Sequence, residues 1–476
     1  MTNTKWLTSA LMGGVAISVM ATGAQAGELS DLKAQLEALQ SRVNSIETTP
    51  QAALPAGVSA MTVAKGHGSN ANWGNESARD AANYNEDRGY TVSINPTADL
   101  PAPVTEITVY GYAKLDFSFS NETQDSYQRV FDMSQANGDN EKNRWHAHAA
   151  QTRFGIKAKT DTAIGQIRAN IEGDFYGSPY GTSTSFRQRH SYGEWDMTPN
   201  WTLQAGQTWH LGSLLPIGIS TIDFTGPAGV TYSRSPLLAL KYKNGPISAR
   251  FGISNPQRGN ADYPNVGGAV QYTSAGGHEL IIAGEIADWD RDSVAAVPAG
   301  FAFDPTTGGS IATAAVPAVS SKSGTGYGIG GGANINLGDL VTITSGAYYG
   351  QGSVARYLNQ GFGFSSFDAN GNPTKQWGAT IGASMSVNEA TTINASFGYT
   401  DQKESLANTG GTGCGVAATG RNASCVTDVM TVHANVLWRP VKQMRLGWEV
   451  QWGRNDYYTA KSNNVARGQF GAWFFF

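Results

Sequence analysis

Residues Glu106–Phe119 read EITVYGYAKLDFSF, and no other stretch restricts the fold more. Ile107, Val109, Gly111, Ala113, Leu115, Phe117 and Phe119 form one alternating set; Thr108, Tyr110, Tyr112, Lys114, Asp116 and Ser118 form the other. Side chains on a strand alternate faces with period two, so this strand has one apolar and one polar face. Lysine and aspartate recurring on the polar face do not suit a soluble core. An apolar outside around a polar inside suits a β-barrel in lipid, and this stretch reads as its first strand.

The rest of the chain repeats the pattern. The terminal run Asn464–Phe476 puts Ala466, Gly468, Phe470, Ala472, Phe474 and Phe476 on one face. Such a bare aromatic edge would aggregate in a soluble sheet. In Pro246–Asn255, Ile247, Ala249, Phe251 and Ile253 oppose Ser248 and Arg250; in Lys442–Gly453, Met444, Leu446, Trp448, Val450 and Trp452 oppose Arg445, Glu449 and Gln451. Composition agrees: 58 glycines, 12 tryptophans and only 15% charged residues argue against disorder. Beyond the amino-terminal leader there is no apolar run of the ~20 residues that a membrane helix requires. The 33 basic residues against 37 acidic ones argue against nucleic acid as a partner.

Residues 1–26 read as a signal peptide: Lys5, an apolar core, then Ala24-Gln25-Ala26 as a cleavage site. In residues 27–47, Leu29, Leu32, Leu36, Leu39, Val43 and Ile46 form an a/d seam. So short a coiled-coil helix needs partners, and an oligomeric barrel would supply them; a trimer is expected, although the seam itself does not decide the number. The alternative is a lone amphipathic helix on another surface. Residues 48–104, with five prolines, read as a linker whose middle, WGNESARDAANYNEDRGY, could instead form a small plug or cap. Residues 105–476 form the barrel.

Within the barrel, short turns at Thr160–Ile164, Met197–Asn200, Asn244–Gly245, Ser274–Gly277, Asn336–Asp339, Asn388–Ala390 and Arg439–Val441 alternate with long polar stretches. That asymmetry is expected of short periplasmic turns and long outer loops, and implies roughly sixteen antiparallel strands. Barrels of ~16–18 strands leave an aqueous channel. Cys414 and Cys425 share one long loop, where a disulfide would restrain it; two reduced thiols are the alternative.

Signs of enzymatic chemistry are weak. Gly326, Gly328 and Gly331 match a dinucleotide-binding spacing, but no helix pattern follows. The alternating glycines 324–332 read better as a strand with little bulk on its inner face. His278-Glu279 lacks a second histidine, Asp288, Asp290 and Asp292 lack the rest of a calcium loop, and His146 with His148 lacks a third ligand. No metal, cofactor or catalytic residue is expected.

The inward charges are more informative. Parity puts Arg153, Lys157, Arg168, Arg250 and Arg445 on polar faces, with Glu172 and Asp174 beside Arg168. Arg187 and Arg189 share a face, but which one stays open. Rings of Arg or Lys favour anions in pores. The stretch His210–Ser235 is too apolar for an outer loop in water. Folded into the lumen it would narrow the channel, with Ile222, Asp223, Phe224, Pro227 and Tyr232 on this constriction and Arg234 near its end; a subunit-contact loop is the alternative.

At YGYAKLD near Tyr110, QTRFGIK from Gln151, IEGDFYG from Ile171, FRQRHSYGEW from Phe186, AGQTW from Ala205 and TIDFTGP from Thr221, the chain resembles the DcaP family of trimeric outer-membrane channels. The resemblance implies a homotrimer of sixteen-stranded barrels with a periplasmic coiled coil, set in lipid and lipopolysaccharide, that takes up small organic anions such as dicarboxylates and aromatic acids. It puts solute contact on Arg153, Arg187, Arg189 and Arg234; parity adds Arg168 and Arg250. A sugar-selective porin is the alternative, with Trp195, Trp201 and Trp209 able to start an aromatic ladder, though membrane girdles would also explain them. A trimeric envelope tether or adhesin is a third reading.

Overall fold

A computed structural model describes residues 60–74, 77, 88–95, 105–121, 143–177, 185–229, 233–256, 261–291, 300–303, 310–313, 320–352, 372–402, 426–457 and 462–476. The expected leader and coiled coil lie outside these, as do Tyr232, Cys414 and Cys425. The described strands are β1 (Ala60–Lys65), β2 (Tyr90–Asn95), β3 (Thr105–Ser120), β4 (Arg144–His148), β5 (Arg153–Thr162), β6 (Gly165–Asp174), β7 (Arg187–Asp196), β8 (Trp201–Trp209), β9 (Arg234–Asn244), β10 (Ile247–Ser254) and β11 (Asn265–Thr273). They continue with β12 (Glu279–Arg291), β13 (Gly300–Phe303), β14 (Ser310–Thr313), β15 (Lys322–Leu337), β16 (Val341–Gln351), β17 (Lys375–Asn388), β18 (Thr391–Asp401), β19 (Val426–Val441), β20 (Met444–Tyr457) and β21 (Asn463–Phe475).

β3 pairs antiparallel with β4 and β5, β5 to β12 pair each with the next, β12 pairs with β15, β15 to β21 continue in the same way, and β21 returns to β3 through Phe470↔Phe117 and its neighbours. Because β4 and β5 pair with successive halves of β3, they count as one interrupted strand, and the sheet closes as a sixteen-stranded barrel. Closure leaves no open edge, which a sheet surrounded by hydrocarbon requires. The short turns fall where the sequence places them, except that the last lies beyond Val441. The hairpin β13–β14 sits within one long connection.

The polarity is inverted relative to a soluble domain. Leu115, Phe117, Phe154, Ile171, Phe251, Ile282, Ile329, Ile381, Trp448 and Val450 are exposed, whereas Lys114, Asp116, Arg153, Lys157, Glu172, Asp174, Arg189, Arg445, Glu449 and Arg467 are buried. Water would not tolerate that outer surface, while lipid would.

Two elements fold inward. The first lies in the segment read as a linker or plug. β1 and β2 form a hairpin, and β2 pairs with Thr105–Val109 of β3, continuing the edge that β21 leaves at Tyr112. Between them, a 3-10 turn at Gly68–Asn72 meets the inner wall at the short-turn end. The second is the connection from His210, which crosses the inner wall from β9 round to β21. Leu211 packs with Leu237 and Ala239; Leu214 and Ile217 pack with Ala269, Ile281 and Ala283; Ile222 packs with Tyr112, Leu437, Trp473 and Phe475. Glycines make room for it. A Cβ at Gly332 would lie 2.5 Å from Ile217 Cγ1, and one at Gly447 2.7 Å from Ile222 Cδ1. Gly332 of β15 and Gly346 of β16 are thus part of the floor on which the inward connection rests, while Gly330 and Gly324 make room for Tyr348 and Trp289 of the neighbouring strands.

Candidate channel wall and constriction

The inward connection is anchored by charge as well as by packing. Asp223 forms a buried ion pair with Arg467 of β21 and accepts backbone hydrogen bonds from Thr225 (2.7 Å) and Gly226 (3.0 Å). Glu449 of β20 accepts from the backbone N–H groups of Ile222 (2.8 Å) and Asp223 (3.1 Å). Lys114 Nζ donates to the Ile222 carbonyl at 3.1 Å, and Asn435 donates to that of Ser220 at 2.8 Å. Where the connection begins, His210 and Glu285 form a further buried contact.

On the adjoining arc, β5 to β7 carry a compact charge cluster. Arg187 grips Asp174 in bidentate fashion, Nε to Oδ1 at 2.9 Å and Nη2 to Oδ2 at 2.7 Å. Arg189 pairs with Glu172 at 2.7 Å and Asp174 at 3.4 Å, and Arg153 stands 3.6 Å from Glu172. Three guanidiniums thus face two carboxylates. Nearer the short turns, Arg168 pairs with Glu194 (3.0 Å) and Asp196 (2.6 Å), and Lys241 pairs with Glu194 at 2.8 Å. Arg234 lies 4.8 Å over the Trp209 ring, and Arg250 donates to the Ser213 carbonyl at 2.5 Å. Phe224 of the inward connection packs against Tyr176 at a tilt, 4.2 Å between ring centroids, and the Arg187 guanidinium covers both rings at 5.2 and 5.3 Å. The stretches around Tyr176, Arg187 and Phe224 therefore converge on one site.

No family model and no curated protein sequence matches the chain. Among solved structures, the outer-membrane channel DcaP of Acinetobacter baumannii aligns with a TM-score of 0.60 at 19% identity, over 78% of this chain and 97% of that one. The chain has the fold of the DcaP channel. The anion-selective porin of Comamonas acidovorans (14% identity, 78% and 100% covered, TM-score 0.48) and OprB of Pseudomonas putida (9%, 77% and 94%, 0.44) are more distant.

In this DcaP-like barrel the expected arginines separate into two groups. Arg168, Arg187, Arg234 and Arg250 are partly open, whereas Arg153 and Arg189 are buried in ion pairs. The face of Arg187 and Arg189 is settled by a bulge: the register shifts between Glu172 and Gly173, which pair with His190 and Gln188, and this turns both arginines inward. Expected as apolar channel wall, Ile222 and Pro227 are instead buried, Ile222 against the barrel's inner surface, and Asp223 is an anchor. Phe224 alone of the described constriction residues named from sequence stays half-open. Arg445 is buried 4.2 Å from the Trp473 ring centroid.

Trp195, Trp201 and Trp209 do not start a ladder together. Trp209 is buried inside, but Trp201 packs with the outward Phe251 and Trp195 caps the Ile164 carbonyl at 2.8 Å, both on the outer face near the short turns. Sequence reading passed over Arg467, although it alternates with Gln469 on the polar face of the last strand. Its partner lies 244 residues away, and nothing local marks it.

Proposed function

We propose that the chain is an outer-membrane porin, not an enzyme, through which small organic anions such as dicarboxylates and aromatic carboxylates diffuse passively. The observation that carries this reading is the layering of charge on the arc from β6 to β9. Arg187 is 29% exposed and its partner Asp174 0%; Arg168 and Lys241 are 14% and 25% exposed, and their shared partner Glu194 1%. Cations face the opening and carboxylates stand behind them. Asp196, 28% exposed, is the exception beside Arg168. A guanidinium open to water binds a carboxylate well enough to attract it and weakly enough to release it. The DcaP fold supports the same reading, and Trp195 and Trp201, which the sugar alternative needed inside, lie on the outer face.

The proposal places the short turns in the periplasm, with the long loops outside and lipid and lipopolysaccharide around the wall. It includes the homotrimer. Phe117, Phe119, Trp145, Trp448 and Phe470 line a concavity of about 600 Å³ on the outer surface that a neighbouring barrel would fill. Planar-bilayer reversal potentials in a salt gradient test the selectivity: anion preference is expected, and cation preference would overturn it. Arg187→Ala is expected to weaken current blocking by succinate and phthalate while the barrel still assembles. Oligosaccharide blocking without carboxylate blocking would return the sugar reading.

A further inference from the structure

The inward turn at the short-turn end has its own binding site on the wall. Lys157 Nζ donates to the Trp73 carbonyl at 2.7 Å, and the Arg168 guanidinium lies 5.4 Å from the Trp73 ring centroid. Tyr192 meets that ring edge-on at 6.5 Å. A Cβ at Gly74 would lie 3.0 Å from Lys157 Cε and 3.4 Å from Asn170 Nδ2. One backbone carbonyl and one indole therefore occupy a pocket of two cations, an amide and a phenol, spread over β5, β6 and β7. Lys157 holds the carbonyl oxygen, while Arg168, which also pairs with Glu194 and Asp196, and Asn170 stand beside the indole and Gly74; lysine, arginine and amide donors are the groups that bind a carboxylate.

The seat is polar. Asn70 Nδ2 donates to Thr108 Oγ1 at 2.9 Å, Trp73 Nε1 donates to Asn70 Oδ1 at 3.1 Å, and Thr91 Oγ1 donates to the Gly66 carbonyl at 2.7 Å. Ser69, Glu106 and Lys159 form a short-contact network beside them. Trp73 is the one buried apolar side chain among the described residues before β3. The connection from His210 is the contrast, with its isoleucines and buried ion pair. Water or a solute replaces polar contacts readily, and replaces packed apolar side chains poorly. Glycines with positive φ stand at both ends of the turn: Gly66 at 96° and Gly68 at 52°, Gly74 at 75° and Gly89 at 82°. They allow the chain to swing without a steric penalty.

We propose that Gly66–Trp73 is a displaceable gate of the short-turn mouth, seated in a carboxylate-binding pocket of Lys157, Arg168, Asn170 and Tyr192. A passing anionic solute competes with the Trp73 carbonyl for Lys157, so solute entry and gate release are coupled. The inference rests on the anion-channel reading for its solute, and its test separates the two.

In a background with Cys414 and Cys425 replaced by Ser, Ser77→Cys places a buried thiol beyond the turn, where its labelling rate reports unseating. Succinate is expected to accelerate labelling several-fold over sodium chloride of equal ionic strength, and Lys157→Met to remove the succinate effect. In the same background, Asn70→Cys with Thr108→Cys would lock the seat; the oxidised channel is expected to conduct less than the reduced one. Labelling indifferent to succinate, with equal conductance before and after reduction, overturns the gate and leaves the channel intact. Succinate-dependent labelling in a protein that passes no ions leaves the gate standing and removes the channel.

Discussion

Arg467→Met tests how the inward connection is held. The Arg467 and Asp223 side chains are both fully buried, so the substitution strands a carboxylate away from water. Removing one partner of such a pair costs about 3–5 kcal/mol. Asp223 Oδ1 keeps the Thr225 and Gly226 N–H groups, which places the expected loss at the lower end, about 3 kcal/mol. That corresponds to roughly a hundredfold change in the seating equilibrium. The barrel ladders do not depend on the pair, so the strands should remain while the connection detaches. Single-channel recording should show added current noise and a changed conductance, and limited proteolysis should cut between 210 and 229. The second substitution, Asp223→Asn in the same chain, removes the stranded charge and should recover most of the loss. A quiet Arg467→Met channel with native conductance and native protease resistance would refute the anchoring argument.

Two further outcomes follow from the packing and from pH. Gly332→Ala forces Ile217 or the Ser345 carbonyl (2.7 Å from the new Cβ) to move, an overpacking cost of about 1–3 kcal/mol that should lower the thermal midpoint; Gly468→Ala, whose Cβ meets nothing within 4 Å, should leave it unchanged. His67, whose ring centroid lies 5.0 Å from that of Tyr110, is held at about 3 by burial and then by the Lys157 and Arg88 charges. Its seated value lies below the free value of 6.5, so its contribution to seating is complete above that pH and declines as pH falls toward 3. At about pH 5 the turn should be weaker by roughly 2 kcal/mol, read as faster hydrogen exchange over residues 66–74; His67→Gln should flatten the dependence, and an unchanged profile would count against a buried neutral histidine.

The barrel is written in local geometry. Period-two alternation is a property of the extended backbone, so Lys114 and Asp116 could be assigned inward from residues 106–119 alone, and the short turns marked one end of the barrel by their glycines and asparagines. The alternating glycines of β15 were equally visible as an empty inner face. What the strands could not show was which inward charge remains open. Arg153, Arg187 and Arg189 all face inward and all pair with Glu172 or Asp174 on a neighbouring strand, yet Arg153 and Arg189 are buried while Arg187, held by Asp174, stays half-open. The bulge opposite Glu172 broke the parity rule at the point where it was needed. Trp195 and Trp209 looked alike in sequence and lie on opposite sides of the wall. Asp223 and Arg467, and Trp73 and Lys157, find each other only after the barrel has closed and chain has folded into it. Alternation is fixed by adjacent peptide units, whereas ion pairing inside the bore depends on strand register and on segments far away along the chain.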